Sequence, residues 1–331
     1  MKKQVANTNL NTAKNDKKDE FYTQLSDIEK EMRYHKASFK NKVVFCNCDD
    51  PRVSNFFHYF SYNFEKLGLK KLITTCYKNQ NSDLFSQSNS EKAIYLEYTG
   101  DKNGDNVPNI EEIGIKHLKG DGDFRSEECV ELLKEADIVV TNPPFSLFRD
   151  YVAQLIKYDK KFLIIGNVNA ATTKAIFELI KSNKLWMGAS IHSGDREFGV
   201  PDDYPLNAAG SRVDSITGEK FIRVKGVRWF TNLDYSERHA DMLLYKKYSA
   251  EEYPKYDNFD AINVNKTKDI PMNYGGAIGV PITFLDKFNP EQFEIVGIDE
   301  ALTGELNGRV SRFYINGTKL YARIVIKNKK L

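Results

Sequence analysis

No apolar run in the chain approaches the ~20 consecutive positions that a membrane-crossing helix needs. The longest, such as residues 162–165, are strand-sized, so a helical membrane protein is excluded. Met1-Lys2-Lys3 leads into Gln-Val-Ala-Asn-Thr-Asn without an apolar core segment, and no secretory signal is expected. Cysteine is scarce: Cys46, Cys48, Cys76 and Cys129 are too few to staple 331 residues, which points to a reducing, cytoplasmic setting. The Cys46-x-Cys48 pair has no second Cys or His pair at zinc spacing, and the five histidines form no ligand spacing either. No metal is expected, and the cysteines read as structural residues of apolar strands. Net charge is scarce as well. With 48 basic and 46 acidic residues the sum is +2, which excludes a uniformly basic protein and gives by itself no reason to invoke nucleic acid.

What is present is an ordinary globular composition, 41% hydrophobic and 28% charged, with 18 Tyr and 21 Phe to fill a core. Residues 1–18 contain no aromatic residue and read as a disordered tail. From about residue 19 to 190, short apolar runs alternate with helical spacing. Residues 43–48, 71–76, 137–141 and 162–168 are strand candidates, and residues 52–67 (ending at Gly68), 147–156 and 172–182 are helix candidates. This alternation implies an α/β protein with a mostly parallel sheet covered on both faces, which binds ligands at the carboxyl ends of its strands. Residues 193–218 are broken by Gly, Pro, Asp and Asn and suggest a long surface loop or insert. Residues 227–232 and 242–246 look like further strands, and residue 253 onward reads as a small α+β region.

The most informative segment is Asp137-Ile-Val-Val-Thr-Asn-Pro-Pro-Phe145, a buried strand running straight into Asn142-Pro143-Pro144-Phe145 with an amphipathic helix behind it. Such a tetrad suits methylation of an exocyclic amine. An amino nitrogen conjugated to a heteroaromatic ring is a poor nucleophile. Acceptors on the Asn142 side chain and the Pro143 carbonyl can bind both amino hydrogens and favour a pyramidal nitrogen. The two prolines stiffen the turn that carries them. Phe145 can stack on a base taken out of its duplex. No strong general base is needed, because the ammonium product is acidic and can lose its proton to water.

Four segments occur in order: Asp19-Glu-Phe-Tyr-Thr-Gln24, Val43-Val-Phe-Cys-Asn-Cys-Asp-Asp-Pro-Arg-Val-Ser-Asn-Phe56, Gly120-Asp-Gly-Asp-Phe-Arg-Ser126 and the tetrad. With Tyr253-Pro-Lys-Tyr-Asp-Asn258, Asn263-Val-Asn-Lys-Thr-Lys-Asp-Ile-Pro271 and residues 279–293, they make the chain resemble the EcoRI-type modification methylases from about residue 19 to its end. That family consists of S-adenosylmethionine-dependent adenine-N6 DNA methyltransferases. The resemblance implies a Rossmann-like methyltransferase sheet with helices on both faces, plus a smaller C-terminal α+β recognition region. It places a catalytic domain at residues 19–249, with an insert near 192–226, and a target-recognition region at 250–331.

Residue by residue, the resemblance sets Phe21, Tyr22 and Thr23 against the methionine end of the cofactor, although such a segment taken alone is more often a helix N-cap with an apolar anchor. Asn47, Asp49, Asp50 and Pro51 fall where the first cofactor motif lies. Asp50 is the first choice for the methionine amino group, while Asp49-Asp50 could instead cap the helix that follows. Residues 43–60 hold no glycine, a departure from the Gly-rich approach of most methyltransferases. After the second strand Cys76 stands near the pocket with no carboxylate until Asp83. Asp123 and Phe124 match the adenine-binding position, with Asp121 a rival carboxylate and a plain Gly-Asp turn the alternative.

Charge resolved along the chain is more telling than its sum. The last 24 residues carry seven basic side chains and no acidic one. Arg309, Arg312 and Arg323 there, with Lys266 and Lys268, are candidate DNA contacts; Asn265, Arg196 and Arg212 are further ones. A basic edge strand with a solvated tail is the competing reading of the C-terminus. The expected partner is double-stranded DNA; the resemblance implies a GAATTC-like target and a cognate restriction endonuclease sharing the site but not forming a stable subunit. A monomer fits that role. The same tetrad would serve an RNA or protein-glutamine methyltransferase, and a non-catalytic nucleic-acid-binding relative would keep the fold.

Overall fold

The computed structural model describes residues 21–48, 54–75, 93–105, 108–109, 112–200, 204, 206, 210–306, 309–310 and 312–331. The chain forms two compact units, residues 1–167 with 193–233, and residues 168–192 with 234–331. The division differs from the linear boundary expected at residue 249, because the chain leaves the first unit at 168 and returns at 193.

In the first unit, β1 (Tyr22–Thr23) precedes helix α1 (Leu25–Met32). Strand β2 (Val43–Cys46) leads to helices α2 (Asn55–Tyr62) and α3 (Phe64–Leu67), then to β3 (Lys71–Thr75), β4 (Ile94–Tyr98) and β5 (Ile113–His117). Helix α4 (Glu127–Glu135), β6 (Ile138–Thr141), helix α5 (Phe148–Lys157) and β7 (Lys161–Asn167) follow. Residues 168–192 carry α6 (Lys174–Lys181) and β8 (Trp186–Met187) of the second unit. The chain then returns with β9 (Asp195–Val200), β10 (Arg212–Val213), β11 (Lys220–Lys225) and β12 (Val227–Thr231).

Seven strands of this unit run in the order β5-β4-β3-β2-β6-β7-β12. The centre is parallel, β3 with β2, β2 with β6 and β6 with β7, and the flanking pairs are antiparallel. Every residue of β2 and β6 is buried, as expected of strands covered on both faces. Helix α5 buries Phe148, Tyr151, Val152 and Leu155, one face at 3.6-residue spacing. Gly166 of β7 is required by this packing, because the Phe148 ring occupies the space that a Cβ would take. Parallel β2 and β6 end at the same edge of the sheet, so their following loops meet there.

Three expectations need correction. The helix expected over 52–67 is two helices, capped by the Ser54 hydroxyl on Phe57 N and interrupted at Asn63, whose side chain bonds the Tyr59 carbonyl. Its expected end at Gly68 holds, in the left-handed conformation. The stretch 193–218, read as loop, holds β9 and β10, and β9 is central to a second sheet ordered β1-β9-β11-β10. Residues 242–246 form no strand but a single bridge at Lys246. There the Gln292 side chain takes both the Met242 N–H and its carbonyl (2.7 and 2.9 Å), and Leu243 and Tyr245 stay exposed.

The second unit carries β13 (Lys255–Tyr256), β14 (Phe259–Asn263), β15 (Ile278–Pro281), β16 (Phe293–Ile298) and helix α7 (Asp299–Thr303). Two short hairpins follow, β17 (Glu305–Leu306) with β18 (Arg309–Val310) and β19 (Tyr314–Ile315) with β20 (Thr318–Lys319), and then β21 (Arg323–Asn328). The sheet order β13-β14-β15-β21-β16 makes the basic C-terminal strand an inner one, so it is neither an edge strand nor a tail. Its core gathers Tyr256, Ala261, Phe313 and Val325, with Tyr256 stacked on Phe313 at 4.3 Å.

Candidate active site

Asn142 follows β6 directly and is 5% exposed. Its Nδ2 donates to the Phe21 carbonyl at 2.5 Å, while its buried Oδ1 has no hydrogen-bond partner among the described residues. Pro144 is extended (φ −52°, ψ 125°), and Leu147 N bonds its carbonyl at 3.0 Å, which closes the short turn leading into α5. The tetrad is therefore a stiff connection that ends with one acceptor waiting.

Phe145 is half-buried and meets Phe21 edge-on at 5.8 Å and Phe198 edge-on at 6.5 Å. Phe21 also lies 6.0 Å from Phe198 and 6.4 Å from Tyr204. Tyr22 and Thr23 pair antiparallel with Gly199 and Phe198, so the segment expected at the cofactor is a strand rather than a helix cap. The buried Thr23 hydroxyl has no partner among the described residues, and the Thr23 carbonyl accepts from Asn55 Nδ2 at 2.8 Å.

At the neighbouring loop, the Asn47 carbonyl accepts from the Thr141 hydroxyl and the Asn47 Oδ1 accepts from the Tyr151 hydroxyl. The missing glycine is compensated by Cys48, which takes a left-handed φ of +79° that few non-glycine residues adopt. Cys48 is thus a turn residue and not part of an apolar strand, unlike Cys46. Asp49, Asp50, Pro51 and Cys76 lie outside the described residues.

Phe124 is buried, edge-on to Tyr151 at 5.0 Å, and its carbonyl accepts from Gln154 Nε2 at 2.9 Å. Asp123 receives the Arg125 guanidinium at 2.9 and 2.6 Å, and Arg125 holds its carboxyl below the usual range. Asp121 is exposed and accepts from Asp123 N at 3.0 Å. Helix α5, read from its sequence only as an amphipathic helix, thus supplies Tyr151 and Gln154 to two loops at once. Apolar periodicity marks Tyr151 as a core position and carries no sign of its hydroxyl's partner.

The expected DNA contacts are placed unevenly in the second unit. Lys266 and Lys268 are exposed. Arg309 lies in β18, and its side chain is outside the described part. Arg312 is ion-paired to Asp299 at 2.8 Å and to Glu300, and Arg323 is 8% exposed and bonded to Asn263 and Asn265. In the first unit, Arg196 lies 4.0 Å from Asp27, and Arg212 grips Glu197 at 2.9 and 2.7 Å with its guanidinium over the Phe221 ring. Of these arginines, Arg323 is buried and must satisfy its donors within the fold, while the partly exposed Arg312 is engaged by its two carboxylates. Neither presents a free guanidinium to a phosphate.

The chain matches the family model described as adenine-specific methyltransferase EcoRI over residues 9–329. It is 53% identical to the type II methyltransferase M.EcoRI of Escherichia coli, covering 100% of this chain and 99% of that protein. It is 39% identical to the type II methyltransferase M.MgeORF184P of Mycoplasma genitalium (97% and 99% covered) and 36% identical to M.MpnI of Mycoplasma pneumoniae (97% and 98%). No solved structure matches it. With the tetrad at the end of β6 and a match along nearly the whole sequence, the chain belongs to the adenine-specific EcoRI methyltransferase family.

Proposed function

We propose that this protein methylates the N6 amino group of an adenine within a specific duplex DNA sequence, as the modification enzyme of a restriction system. The observation that carries this reading is the Asn142 side chain, whose nitrogen is spent on Phe21 and whose buried oxygen is left to accept. A buried acceptor without a partner costs about 1–3 kcal/mol, and an amino hydrogen of the substrate would remove that cost. The Pro143 carbonyl takes the second hydrogen. Phe145, held edge-on by Phe21 and Phe198, stacks on the base, whose extrusion from the duplex costs a few kcal/mol. The proton leaves to water once the nitrogen is alkylated.

S-adenosylmethionine, when bound, supplies the electrophilic methyl group. The residues present fit it. The orphaned Thr23 hydroxyl suits a carboxylate, and Phe124, backed by Tyr151, suits an adenine ring. Asp123 is kept ionised by Arg125 and can accept from an adenine amino group. Asn47, Asp49 and Asp50 complete the methionine end, on the Rossmann-like reading of the parallel strands β3, β2, β6 and β7. Lys266 and Lys268 are the proposed phosphate contacts, and the target is GAATTC-like.

The test offers radiolabelled S-adenosylmethionine with duplex DNA, RNA and protein. Label on N6 of adenine in duplex DNA is expected. Label confined to RNA or protein, or no label on any duplex, overturns the proposal.

A further inference from the structure

Arg323 lies on the inner strand β21 and is 8% exposed, yet no carboxylate among the described residues pairs with it. Its guanidinium instead donates to side-chain amides: Nε to Asn263 Oδ1 at 3.2 Å and Nη2 to Asn265 Oδ1 at 3.0 Å. Asn263 is itself buried. It accepts from the Tyr256 hydroxyl at 3.0 Å, and its Nδ2 donates to Asn265 Oδ1 at 3.1 Å. A guanidinium is all donor, so it fixes which end of each amide faces it. The Asn265 oxygen faces Arg323 and Asn263, and two donors fill its two lone pairs. Burying a charged group for the sake of one amide is expensive. The result is an exposed residue whose side chain has a single orientation.

Asn265 is exposed, and its amide nitrogen makes no bond to any described residue, so this residue keeps both amide hydrogens available for a partner. It borders a hollow of about 250 Å³ that Lys246, Tyr253, Glu252 and Asp269 also line, and the exposed Lys266 and Lys268 adjoin it in sequence. The carboxylates of Glu252 and Asp269 make this hollow poor for a phosphate. A base edge is neutral and offers lone pairs, namely purine N7, guanine O6 or thymine O4.

We infer that Asn265 is a specificity-determining residue that donates from Nδ2 to an acceptor on a base edge of the target DNA, and that Arg323 is the positioning residue that fixes it. The exposed Lys266 and Lys268 that follow the amide track the backbone, while the amide reads sequence. Rigid support from beneath is what a direct contact to a base requires. The inference rests on the reading of the chain as a DNA methyltransferase.

The test uses full-length protein and plasmid DNA grown in a host without adenine methylation, sequenced afterwards for N6-methyladenine. Asn265→Asp keeps an oxygen toward Arg323 and adds an opposite charge there, which preserves the fold, but it removes the donor. The methylated consensus should become degenerate at one base pair and its symmetry mate, with discrimination there falling about 5- to 50-fold. Cofactor affinity and unfolding midpoint should stay at the wild-type level. Arg323→Lys cannot serve both oxygens and should relax the same base pair, and adding it to Asn265→Ala should relax the consensus no further than Asn265→Ala alone. An unchanged consensus, or a loss spread evenly over all sequences as for a phosphate contact, overturns the inference. A wild-type enzyme that methylates no duplex overturns instead the reading on which it rests.

Discussion

The side-chain nitrogen of Asn142 donates to the backbone carbonyl of Phe21 at 2.5 Å, across 121 residues of chain. This single bond ties the strand β1 to the tetrad after β6 and decides which atom of the amide faces outward. On the proposed function, replacing Asn142 by Ala removes the acceptor offered to the reacting amine. We expect transfer to fall by at least about 100-fold, as when one preorganised polar group is deleted from other active sites, while cofactor affinity stays within about twofold of wild type. Rapid-quench kinetics alongside equilibrium cofactor binding would check this, and a matching loss of cofactor affinity would show that Asn142 serves the other ligand.

Cys48 holds a φ of +79° at the loop that follows β2. A left-handed backbone costs a non-glycine residue about 1–2 kcal/mol, and a β-branched one more because its Cβ substituents crowd the carbonyl. Cys48→Gly should therefore leave stability within about 1 kcal/mol of wild type, the relief of strain offsetting the entropy that glycine gains in the unfolded chain. Cys48→Val should lower it by at least about 2 kcal/mol. Urea unfolding of the two variants separates them, and equal stabilities would refute the role of backbone strain.

The central strands and the tetrad could be read from the sequence because buried parallel strands leave continuous apolar runs, and residues 138–141 are such a run ending on Asn142. The pairing of Tyr22 and Thr23 with β9 could not, since two residues carry no period and the partner strand lies among Gly, Pro and Asp. Nor does composition separate a solvated arginine from a buried one. Arg323 and Lys327 look alike as letters, yet only the first lies inward on β21. The limits of the two units were only half visible: the Gly-, Pro- and Asp-rich stretch from residue 193 coincides with the chain's return, but nothing in composition marks its departure at 168.

His239 has a carboxylate on each ring nitrogen, Asp234 at 2.8 Å and Glu291 at 2.9 Å. Both nitrogens act as donors in that arrangement, and the hydrogen bond to Asp234, then that to Glu291, raises its pKa above the ordinary value. A folded-state value above the unfolded one means that the contribution to stability is fully present below about pH 6.5. It is lost as pH rises through the raised value. The difference in unfolding midpoint between wild type and His239→Gln should accordingly be largest near pH 6 and shrink toward pH 8.5. A difference that is flat or grows with pH would contradict the ion-pair account. Salt should diminish it as well, since the ring is partly exposed.

Tyr151 stands between the two loops assigned to the cofactor, its hydroxyl on Asn47 Oδ1 and its ring against Phe124. Burial raises its pKa well above that of a free phenol, so the hydroxyl stays protonated and a donor around neutral pH. Tyr151→Phe keeps the ring and its contact with Phe124 but leaves the Asn47 oxygen buried without its donor, a loss of about 1–3 kcal/mol. Because Asn47 belongs to the loop after β2 and not to the tetrad, that loss should fall on the cofactor. We expect the cofactor dissociation constant to rise about 5- to 50-fold while kcat at saturating cofactor stays near wild type. Tyr151→Ala also strips the support from Phe124 and should destabilise the protein by about 3–5 kcal/mol, as large core truncations do. The two variants separate the roles of hydroxyl and ring. If Tyr151→Phe lowers kcat and leaves cofactor affinity intact, helix α5 serves the tetrad ahead of it rather than the cofactor loops.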